Sequence, residues 1–371
     1  MEDTYGFIGF GLIGGSIAKA IKKAKPDCSI IAYQPDHNTI DSHIENSLLL
    51  AKKECIIQII TTSLEAFSCC DIIFLCAPVL SNIEYLEKLT TIVKPDCIIT
   101  DVGSVKGNIC NVASSLSVCK NFIGGHPMTG SEKTGYENAK EYLFENAFYI
   151  LTPNIDTKPE FLTRLKQFVQ SINAIPVILD AKEHDNIVAA ISHVPHILAS
   201  SLVSMIKDND DKNHTMLSLA AGGFKDITRI ASSSPIMWQN ICLTNKESIQ
   251  TFLTLYKDTI DSFLQLLVPE KEKELLHFFE NAKEYRDSIP ASVNGILSKT
   301  YELYLDIIDE SGAIALVASL LASHKISIKN IGIIHNREFQ DGVLRIEFYD
   351  IIAMEQAIVL FQQHNYTIYE R

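Results

Sequence analysis

Positive charge is scarce in this sequence. Its 371 residues include 32 lysines and arginines against 45 aspartates and glutamates, which gives a formal net charge of −13. No basic stripe of the kind that binds a nucleic-acid backbone or an anionic membrane is visible. We therefore expect no nucleic acid and no membrane among its partners, whereas a small anionic substrate needs only a local cationic pocket.

Paired cysteines and long apolar runs are missing as well. The nine cysteines are odd in number and none forms a Cys-x-x-Cys pair, which favours a reducing compartment over a disulfide framework. No uncharged apolar run approaches about 18 residues, so we expect no membrane-spanning helix. A strand pattern begins at once, so we expect no signal peptide and a cytoplasmic protein.

The N-terminus carries a strand, a glycine-rich turn and a helix, in that order. The turn reads Gly9-Phe10-Gly11-Leu12-Ile13-Gly14. In this motif the first glycine permits a tight turn, the second lets a pyrophosphate approach the backbone, and the third lets the helix pack against the strand. The N–H groups at the helix start, around Leu12 and Ile13, then face the phosphates. This stretch predicts a dinucleotide site.

The ends of the next strands bear on the choice of cofactor. NAD sites usually place an acid at the end of the second strand, where it accepts hydrogen bonds from the ribose. This sequence has Gln34 there, Asp36 two residues later, and no arginine nearby. The lack of arginine argues against a 2′-phosphate, so we expect NAD, with NADP as the alternative because of Gln34. Asp36 is equally well explained as a helix N-cap. The fourth strand ends at Ala77-Pro78, where the chain turns near the cofactor.

The pattern of apolar residues predicts an α/β protein of three domains. Apolar strands alternate with helices over residues 1–180, which indicates a buried, mostly parallel Rossmann-like sheet. Long amphipathic helices fill residues 181–290, with more apolar surface than such a bundle readily hides, so we expect a subunit interface there. Residues 299–371 read β-α-β-β-α-β, the order of a ferredoxin-like unit.

Polar residues follow the fifth and sixth strands, at the edge where ligands of parallel sheets bind. Ser104 and Lys106 come after the fifth strand, and His126 follows two glycines at the sixth, with Glu132 in the loop behind it. His126 with Ser104 and Glu132 makes a plausible acid–base group. A lone histidine is more often structural, and Ser104 would also cap the next helix.

Two histidines share one face of the first long helix. His193 and His196 are three residues apart, and Pro195 between them lacks an N–H, which predicts a kink. The spacing would suit a metal, but no cysteine or dense carboxylate group lies close by in sequence, so we expect none. A buried core pair is the alternative for both histidines, and we favour substrate contact for His196.

Two cations follow a pair of glycines in the helical region. Lys225 and Arg229 come one helical turn apart after Gly222. In an acidic protein they indicate a small carboxylate substrate, with Arg229 as a bidentate clamp. A surface ion pair between Arg229 and Asp226 is the alternative. The single tryptophan, Trp238, is as well explained by the core as by a pocket wall.

Together these motifs resemble the prephenate dehydrogenase family of tyrosine biosynthesis, with an appended ACT domain. Five segments in the family's order carry the resemblance along nearly the whole chain: Gly9–Ser16, Asp101–Lys106, Gly125–Glu132, Ser192–His196 and Gly222–Arg229. In the C-terminal unit, residues 309–312 match the first ACT loop, and Asn330 falls near the usual amino-acid-binding interface.

The resemblance implies oxidative decarboxylation of prephenate to 4-hydroxyphenylpyruvate, with hydride transfer to NAD+. His126 would take the proton of the ring hydroxyl, and Ser104 would orient both His126 and that hydroxyl. Carbon dioxide would then leave, driven by aromatisation. Arg229 would bind one substrate carboxylate, helped by Lys225 and His196.

The resemblance implies lesser roles for other residues. Gly222 would line the pocket through its backbone, His193 would lie beside the substrate, and Glu132 would contact the cofactor or gate the site. The helical region would form a homodimer. L-Tyrosine as an effector at the ACT domain is a further hypothesis.

Three other functions compete with this one. Arogenate dehydrogenase runs the same chemistry on a substrate with an amino group. A β-hydroxyacid dehydrogenase also joins a Rossmann domain to helices, but relies on a catalytic lysine in the helical part. A non-catalytic sensor would bind NAD and an amino acid without transferring hydride.

Overall fold

The computed structural model describes residues 3–35, 42–130, 133–289, 301–307, 312–334, 342–364 and 366–369. Two of the predicted site residues, Asp36 and Glu132, lie outside these ranges, as do residues 309–311 of the expected ACT loop. The chain divides into two units, residues 1–281 and 282–371. The Rossmann-like and helical regions thus belong to one unit, and the predicted boundaries at 180 and 290 stay predictions.

An eight-stranded sheet forms the centre of the first unit. Its strands are β1 (Thr4–Ile8), β2 (Ser29–Tyr33), β3 (Ile59–Thr61), β4 (Ile72–Leu75), β5 (Ile98–Asp101), β6 (Phe122–Pro127), β7 (Phe148–Pro153) and β8 (Ile175–Ile178). They lie in the order β3-β2-β1-β4-β5-β6-β7-β8. All neighbours are parallel except β6 and β7. The mostly parallel sheet that the alternating pattern predicts is confirmed.

Helices bury the sheet in two apolar cores. The helices between strands are α1 (Leu12–Ala24), α2 (Ser42–Lys53), α3 (Val79–Leu89), α4 (Gly107–Ser115) and α5 (Pro159–Ser171). Neighbouring residues of one strand belong to different cores: Phe7 packs with Phe74 in the first, and Ile8 with Leu75 in the second. Because side chains alternate across a strand, this division explains why the central strands are apolar on both faces.

The third strand is shorter than its apolar run suggests. Residues 56–60 predict a strand, but β3 is Ile59–Thr61. The N–H groups of Ile56 and Ile57 both donate to the carbonyl oxygen of Ala51 in α2, at 3.0 and 3.4 Å. These two residues therefore close the helix before strand pairing begins.

The junction of β1 and β4 is the place in the sheet where a ligand is expected to bind. β1 pairs with β2 on one side and with β4 on the other, so the strand order reverses there. Ile8 and Leu75, the last residues of these two strands, lie opposite each other. Ligands of open parallel sheets bind outside the carboxyl ends of the strands at this reversal.

The rest of the first unit is helical, as the sequence predicts. Its helices are α6 (Ala181–Val188), α7 (Val194–Asn209), α8 (Thr215–Ser218), α9 (Gly222–Thr228), α10 (Pro235–Thr244), α11 (Lys246–Leu264) and the first part of α12 (Glu272–Ser288), which continues past residue 281. Large apolar side chains of α11 and α12 are exposed, among them Leu255, Tyr256, Ile260, Leu264, Leu276 and Phe279.

A π-helical segment, Ala189–His193, joins α6 to α7. The N–H of Val194 donates to the carbonyl oxygen of Ala189, one residue further back than in an α-helix. Where the sequence predicted a kink at Pro195, the structure has this wider turn just before it, with helical backbone on both sides. Such π segments are frequent at functional sites.

The helix that runs through this segment, residues 181–209, is long and apolar enough to cross a membrane by length and composition alone. The core helix of a soluble protein meets the same criteria. Four of its polar side chains are buried within the first unit: His184, Asp185, His193 and His196. Because ionisable groups are expensive in hydrocarbon, their burial here explains the helix better as part of the protein core.

The second unit is a four-stranded antiparallel sheet with two helices. Its elements are β9 (Tyr301–Ile307), α13 (Ala313–Ser323), β10 (Ile328–Ile334), β11 (Gly342–Phe348), α14 (Ile351–Gln363) and β12 (Ile368–Tyr369). The strands lie in the order β10-β11-β9-β12. The predicted β-α-β-β-α-β order is confirmed, with Leu303, Leu344 and Phe361 in the shared core.

Candidate functional site

The glycine-rich turn after β1 has the three features that its motif predicts. Gly9 has a φ of +92°, and a Cβ there would lie 2.5 Å from the carbonyl carbon of Cys76. A Cβ at Gly14 would lie 2.6 Å from the carbonyl oxygen of Gly9. A Cβ at Gly11 would meet nothing within 4 Å. The turn is therefore tight and closely packed, with open space beside Gly11.

That open space lies at the start of α1, where the backbone favours an anion. Gly11 is the N-cap, no side chain caps the helix, and its first turn holds no acidic residue. The first N–H groups of a helix, here from Leu12 onward, have no acceptor within it and form the positive end of its dipole. The residues present fit a dinucleotide pyrophosphate.

The ends of β2 and β4 flank this turn. The N–H of Gln34 donates to the carbonyl oxygen of Thr61 at 2.8 Å, which holds Gln34 at the strand end. The N–H of Ala77 donates to Oδ1 of Asn82 at 3.0 Å, ahead of Pro78. The buried amide of Asn82 also donates to the carbonyl oxygen of Leu75, at 3.1 Å. The sequence did not single out Asn82, which shapes the turn after β4.

A buried ion pair anchors the strand that carries His126. Lys106 and Asp101 are both fully buried and paired. Lys106 Nζ also donates to the carbonyl oxygen of Gly125 at 2.8 Å, and the N–H of Gly125 donates to Asp101 Oδ1 at 3.2 Å. Both the N–H and the carbonyl oxygen of Gly125, the residue before His126, are therefore fixed by hydrogen bonds. The sequence places Lys106 at the edge of the sheet where ligands bind, but its ammonium group is buried in this ion pair.

His126 is joined to a second histidine from the helical region. Its Nδ1 lies 2.8 Å from Nε2 of His184, and Nδ1 of His184 lies 2.8 Å from Oδ1 of Asp185. Asp185 also accepts hydrogen bonds from the N–H groups of Lys106 at 2.8 Å and Gly107 at 2.7 Å. This carboxylate therefore links α6 to the beginning of α4, beside the strand end of His126.

The same chain of contacts continues to His193. The side-chain amide of Asn245 donates to the carbonyl oxygen of Asp185 at 2.7 Å and lies 3.2 Å from Nδ1 of His193. Since the amide nitrogen is a donor, Nδ1 of His193 accepts and its proton is on Nε2. Burial lowers the pKa of His193 to about 4, so this ring is a neutral donor at physiological pH.

His196 lies against Trp238. Their rings are stacked with centroids 3.5 Å apart, and the His193 ring meets the same indole edge-on at 5.9 Å. Among the described residues, neither Nε2 of His196 nor Nε1 of Trp238 has a hydrogen-bond partner, although both atoms are buried. Burial also lowers the pKa of His196. Two buried polar atoms without partners in one stack of rings mark a place for a polar ligand group.

The predicted cations lie near this stack. Gly222 and Lys225 are exposed in α9, and Arg229 is exposed at the start of the short 3-10 turn that follows. The short turn that begins at Arg229 packs against α7, the helix that carries His196. The structure therefore brings the segment of Arg229 to the helix of His196, and through the chain of contacts above to His126.

The orienting role of Ser104 and the absence of a metal site stay predictions. Ser104 is half-buried in the loop between Asp101 and Lys106, and its orienting role is not tested by the contact of His126 with His184. Within the described ranges no group of three or more histidine, cysteine, aspartate or glutamate side chains could hold a metal ion.

Comparison with known proteins identifies the family of this chain. Residues 17–178 match the family model for the nucleotide-binding domain of prephenate dehydrogenase, and residues 180–281 match the model for its dimerization domain. The chain belongs to the prephenate dehydrogenase family.

Individual members of the prephenate dehydrogenase family show the extent of the similarity. Prephenate dehydrogenase of Bacillus subtilis (strain 168) is 39% identical over 350 residues, which cover 94% of this chain and 92% of that protein. The crystal structure of prephenate dehydrogenase from Aquifex aeolicus with hydroxyphenyl propionate and NAD+ has a TM-score of 0.72 and 31% identity, and covers 78% of this chain and 99% of that one. Arogenate dehydrogenase from Synechocystis has a TM-score of 0.67 and 29% identity, with coverages of 77% and 100%.

Sequence reasoning missed the partners of His126. His184 and Asp185 lie 58 and 59 residues after it, at the start of a helix whose pattern is that of an ordinary amphipathic segment. Asn245, which bridges Asp185 to His193, falls between two helices and resembles a cap. The apolar pattern gave no signal for them, because Ile187 and Ile191 of the same stretch are exposed whereas His184 and Asp185 are buried.

The packing of Gly14 makes a testable prediction. Gly14→Ala places a methyl group 2.6 Å from the carbonyl oxygen of Gly9, so α1 must move away from the turn. We expect NAD to bind at least about tenfold more weakly, or about 1.4 kcal/mol, when measured by calorimetry. Gly332→Ala is the matched control, since a Cβ at Gly332 meets nothing within 4 Å. Equal affinity in wild type and Gly14→Ala would contradict the assignment of this turn.

Proposed function

We propose that this chain catalyses the oxidative decarboxylation of prephenate to 4-hydroxyphenylpyruvate, with NAD+ as the hydride acceptor, in the cytoplasm. Membership of the prephenate dehydrogenase family supports this reaction. The structural observation behind the proposal is that His126 lies at the carboxyl edge of the sheet, where it can act as the base. In balanced form, prephenate and NAD+ give 4-hydroxyphenylpyruvate, carbon dioxide and NADH, with no net release of a proton.

NAD is the cofactor that the residues fit. The turn Gly9–Gly14 and the uncapped start of α1 suit a pyrophosphate, as described above. When bound, the nicotinamide supplies the two-electron acceptor for the substrate carbon that carries the hydroxyl. The side chain at the end of β2 is Gln34, which offers a neutral group to the ribose and no cation for a 2′-phosphate. NADP remains the alternative to be assayed.

His126 is the base in this proposal. Burial of the ring is the main cause that lowers its pKa well below the usual value of 6.5. The ring is therefore neutral at physiological pH and ready to accept the proton of the substrate hydroxyl as hydride leaves the same carbon. Loss of the ring carboxylate as carbon dioxide then makes the ring aromatic, and the proton returns from His126 to the phenolate oxygen. Ser104 is proposed to orient the hydroxyl.

The substrate carboxylates are assigned to the helical side of the site. Arg229, with Lys225 and the backbone of Gly222, is proposed to hold one carboxylate at the exposed edge. Within the described part of the chain, Nε1 of Trp238 and Nε2 of His196 have no hydrogen-bond partner, and the indole N–H can only donate. His193 offers a further neutral donor through Nε2. Glu132 is proposed to contact the cofactor or gate the site.

Arogenate is the second candidate substrate, because the Synechocystis structure of similar fold is an arogenate dehydrogenase. The two substrates differ only in whether the side chain carries a keto or an amino group. Reduction of NAD and of NADP with each substrate, followed at 340 nm, separates the four combinations. We expect NAD with prephenate to give the highest kcat/KM, with activity retained below pH 6.5 because burial lowers the pKa of His126. No turnover with either substrate would refute the proposal.

The role of His126 is tested by His126→Asn. Since general-base catalysis contributes about 100- to 10,000-fold, we expect kcat to fall within that range while NAD affinity stays within about twofold. His277→Asn, on the exposed face of α12, is the control and should match wild type. A kcat for His126→Asn close to that of wild type would remove this residue from the mechanism.

A homodimer is proposed for the helical region. Residues 180–281 match the family model of a dimerization domain. Helices α11 and α12 expose several large apolar side chains, including Leu264, which is 58% exposed, and Leu276, which is 59% exposed. Exposed apolar area of this kind favours association in water. A single 41.4 kDa species in sedimentation at micromolar concentration would contradict the proposal.

The second unit is proposed to be an ACT domain that binds L-tyrosine. Its β-α-β-β-α-β order supports this, and Asn330 lies on the polar face of the sheet, where it donates to Glu347 Oε1 at 3.4 Å beside Arg345. Calorimetry should show heat with L-tyrosine and none with L-phenylalanine. The absence of heat with tyrosine would remove it as the effector.

A further inference from the structure

We propose that His184 and Asp185 form a relay that fixes the tautomer of His126, so that Nε2 of His126 is the free base. The proposal rests on the proposed function and deepens it, since it assigns positioning roles to two residues outside the five sequence segments that resemble the family. It is carried by the hydrogen bonds that run from the backbone of Lys106 through Asp185 and His184 to His126.

The first step of the argument concerns Asp185. Its Oδ1 accepts from the N–H of Lys106 at 2.8 Å, and its Oδ2 accepts from the N–H of Gly107 at 2.7 Å. A backbone N–H can only donate, so both carboxylate oxygens already act as acceptors, as in an ionised carboxylate. The third contact, with His184 Nδ1 at 2.8 Å, must then also be donated to Asp185. The proton of a neutral His184 is therefore on Nδ1.

The second step follows from the two ring nitrogens of His184. With its proton on Nδ1, a neutral His184 has only a lone pair on Nε2. This atom lies 2.8 Å from Nδ1 of His126, so His126 must donate and its proton is on Nδ1. The remaining nitrogen, Nε2 of His126, carries the lone pair. The carboxylate thereby decides, through one intervening ring, which nitrogen of His126 can take the substrate proton.

The third step concerns charge. His126 holds a second proton only between loss of hydride and formation of the phenol, and burial of the ring disfavours the imidazolium formed in that interval. When the substrate O–H gives its proton to Nε2, the Nδ1 proton of His126 can pass to Nε2 of His184, and the positive charge then lies next to the Asp185 carboxylate. The reverse transfers return one proton to the phenolate oxygen, so the relay is unchanged after each turnover.

Other charged groups around the relay are accounted for. Lys106 is neutralised by Asp101 in the buried pair, and the pKa of His193 is lowered to about 4, so it is neutral. Asn245 binds the backbone oxygen of Asp185 rather than its carboxylate. Among the described residues in these contacts, Asp185 is therefore the group left to compensate a proton on the two rings.

Two substitutions of His184 test the relay in the full-length protein. His184→Leu removes the acceptor for Nδ1 of His126, and we expect kcat with prephenate to fall about 100-fold, with KM and NAD affinity within about threefold of wild type. His184→Gln can present its Oε1 where the histidine has Nε2. It restores the acceptor but carries no proton, so we expect it to recover about tenfold of the loss. His277→Gln, on exposed α12, is the matched control.

The outcomes separate the relay from the proposed function. A His184→Leu variant with wild-type kcat would overturn the relay, and so would a His184→Gln variant as slow as His184→Leu. A loss that appears in KM and NAD affinity rather than in kcat would show a merely structural role and would also overturn it. Should wild type turn over arogenate instead of prephenate, the proposed substrate fails, and the same comparison of variants with arogenate still decides the relay.

Discussion

The carboxylate of Asp185 is the constraint on which the site depends. It sits on the first turns of the helical region and accepts from two backbone N–H groups at the start of α4, in the sheet-containing region. Three donors on one buried carboxylate fix its position more strictly than packing alone, since an unpaired buried charge is costly. This contact sets where His184 stands against His126. The backbone oxygen of Asp185 accepts from the side-chain amide of Asn245, which in turn lies beside His193.

A second buried carboxylate complements the first. Asp101 and Lys106 clamp the backbone of Gly125, so His126 is held through its main chain by one acid and through its ring by the other. A buried ion pair adds little net stability compared with an apolar pair, because both charges lose their hydration. Its value here is geometric. The two acids place one imidazole at the edge of the sheet where the glycine-rich turn also lies.

The sequence predicted those parts of the site that are local in the chain. The turn at Gly9–Gly14 and the sheet around it follow from spacing and apolar pattern over short stretches, and His126 is found because it ends a strand. The partners of His126 are not local: His184 meets it across 58 residues, by a packing of helix on sheet that no periodicity encodes. The position of Lys106 after the fifth strand likewise does not show that its ammonium group is buried and paired with Asp101.

The most direct test of this account is the ring nitrogen that carries the proton of His126. Nitrogen NMR of the NAD-bound protein with labelled histidine, assigned by difference from His126→Asn, reports protonation of each ring nitrogen at neutral pH. The account predicts that Nδ1 of His126 is protonated and Nε2 is not. A proton on Nε2 with a bare Nδ1 would contradict it, because His126 would then be unable to take the substrate proton.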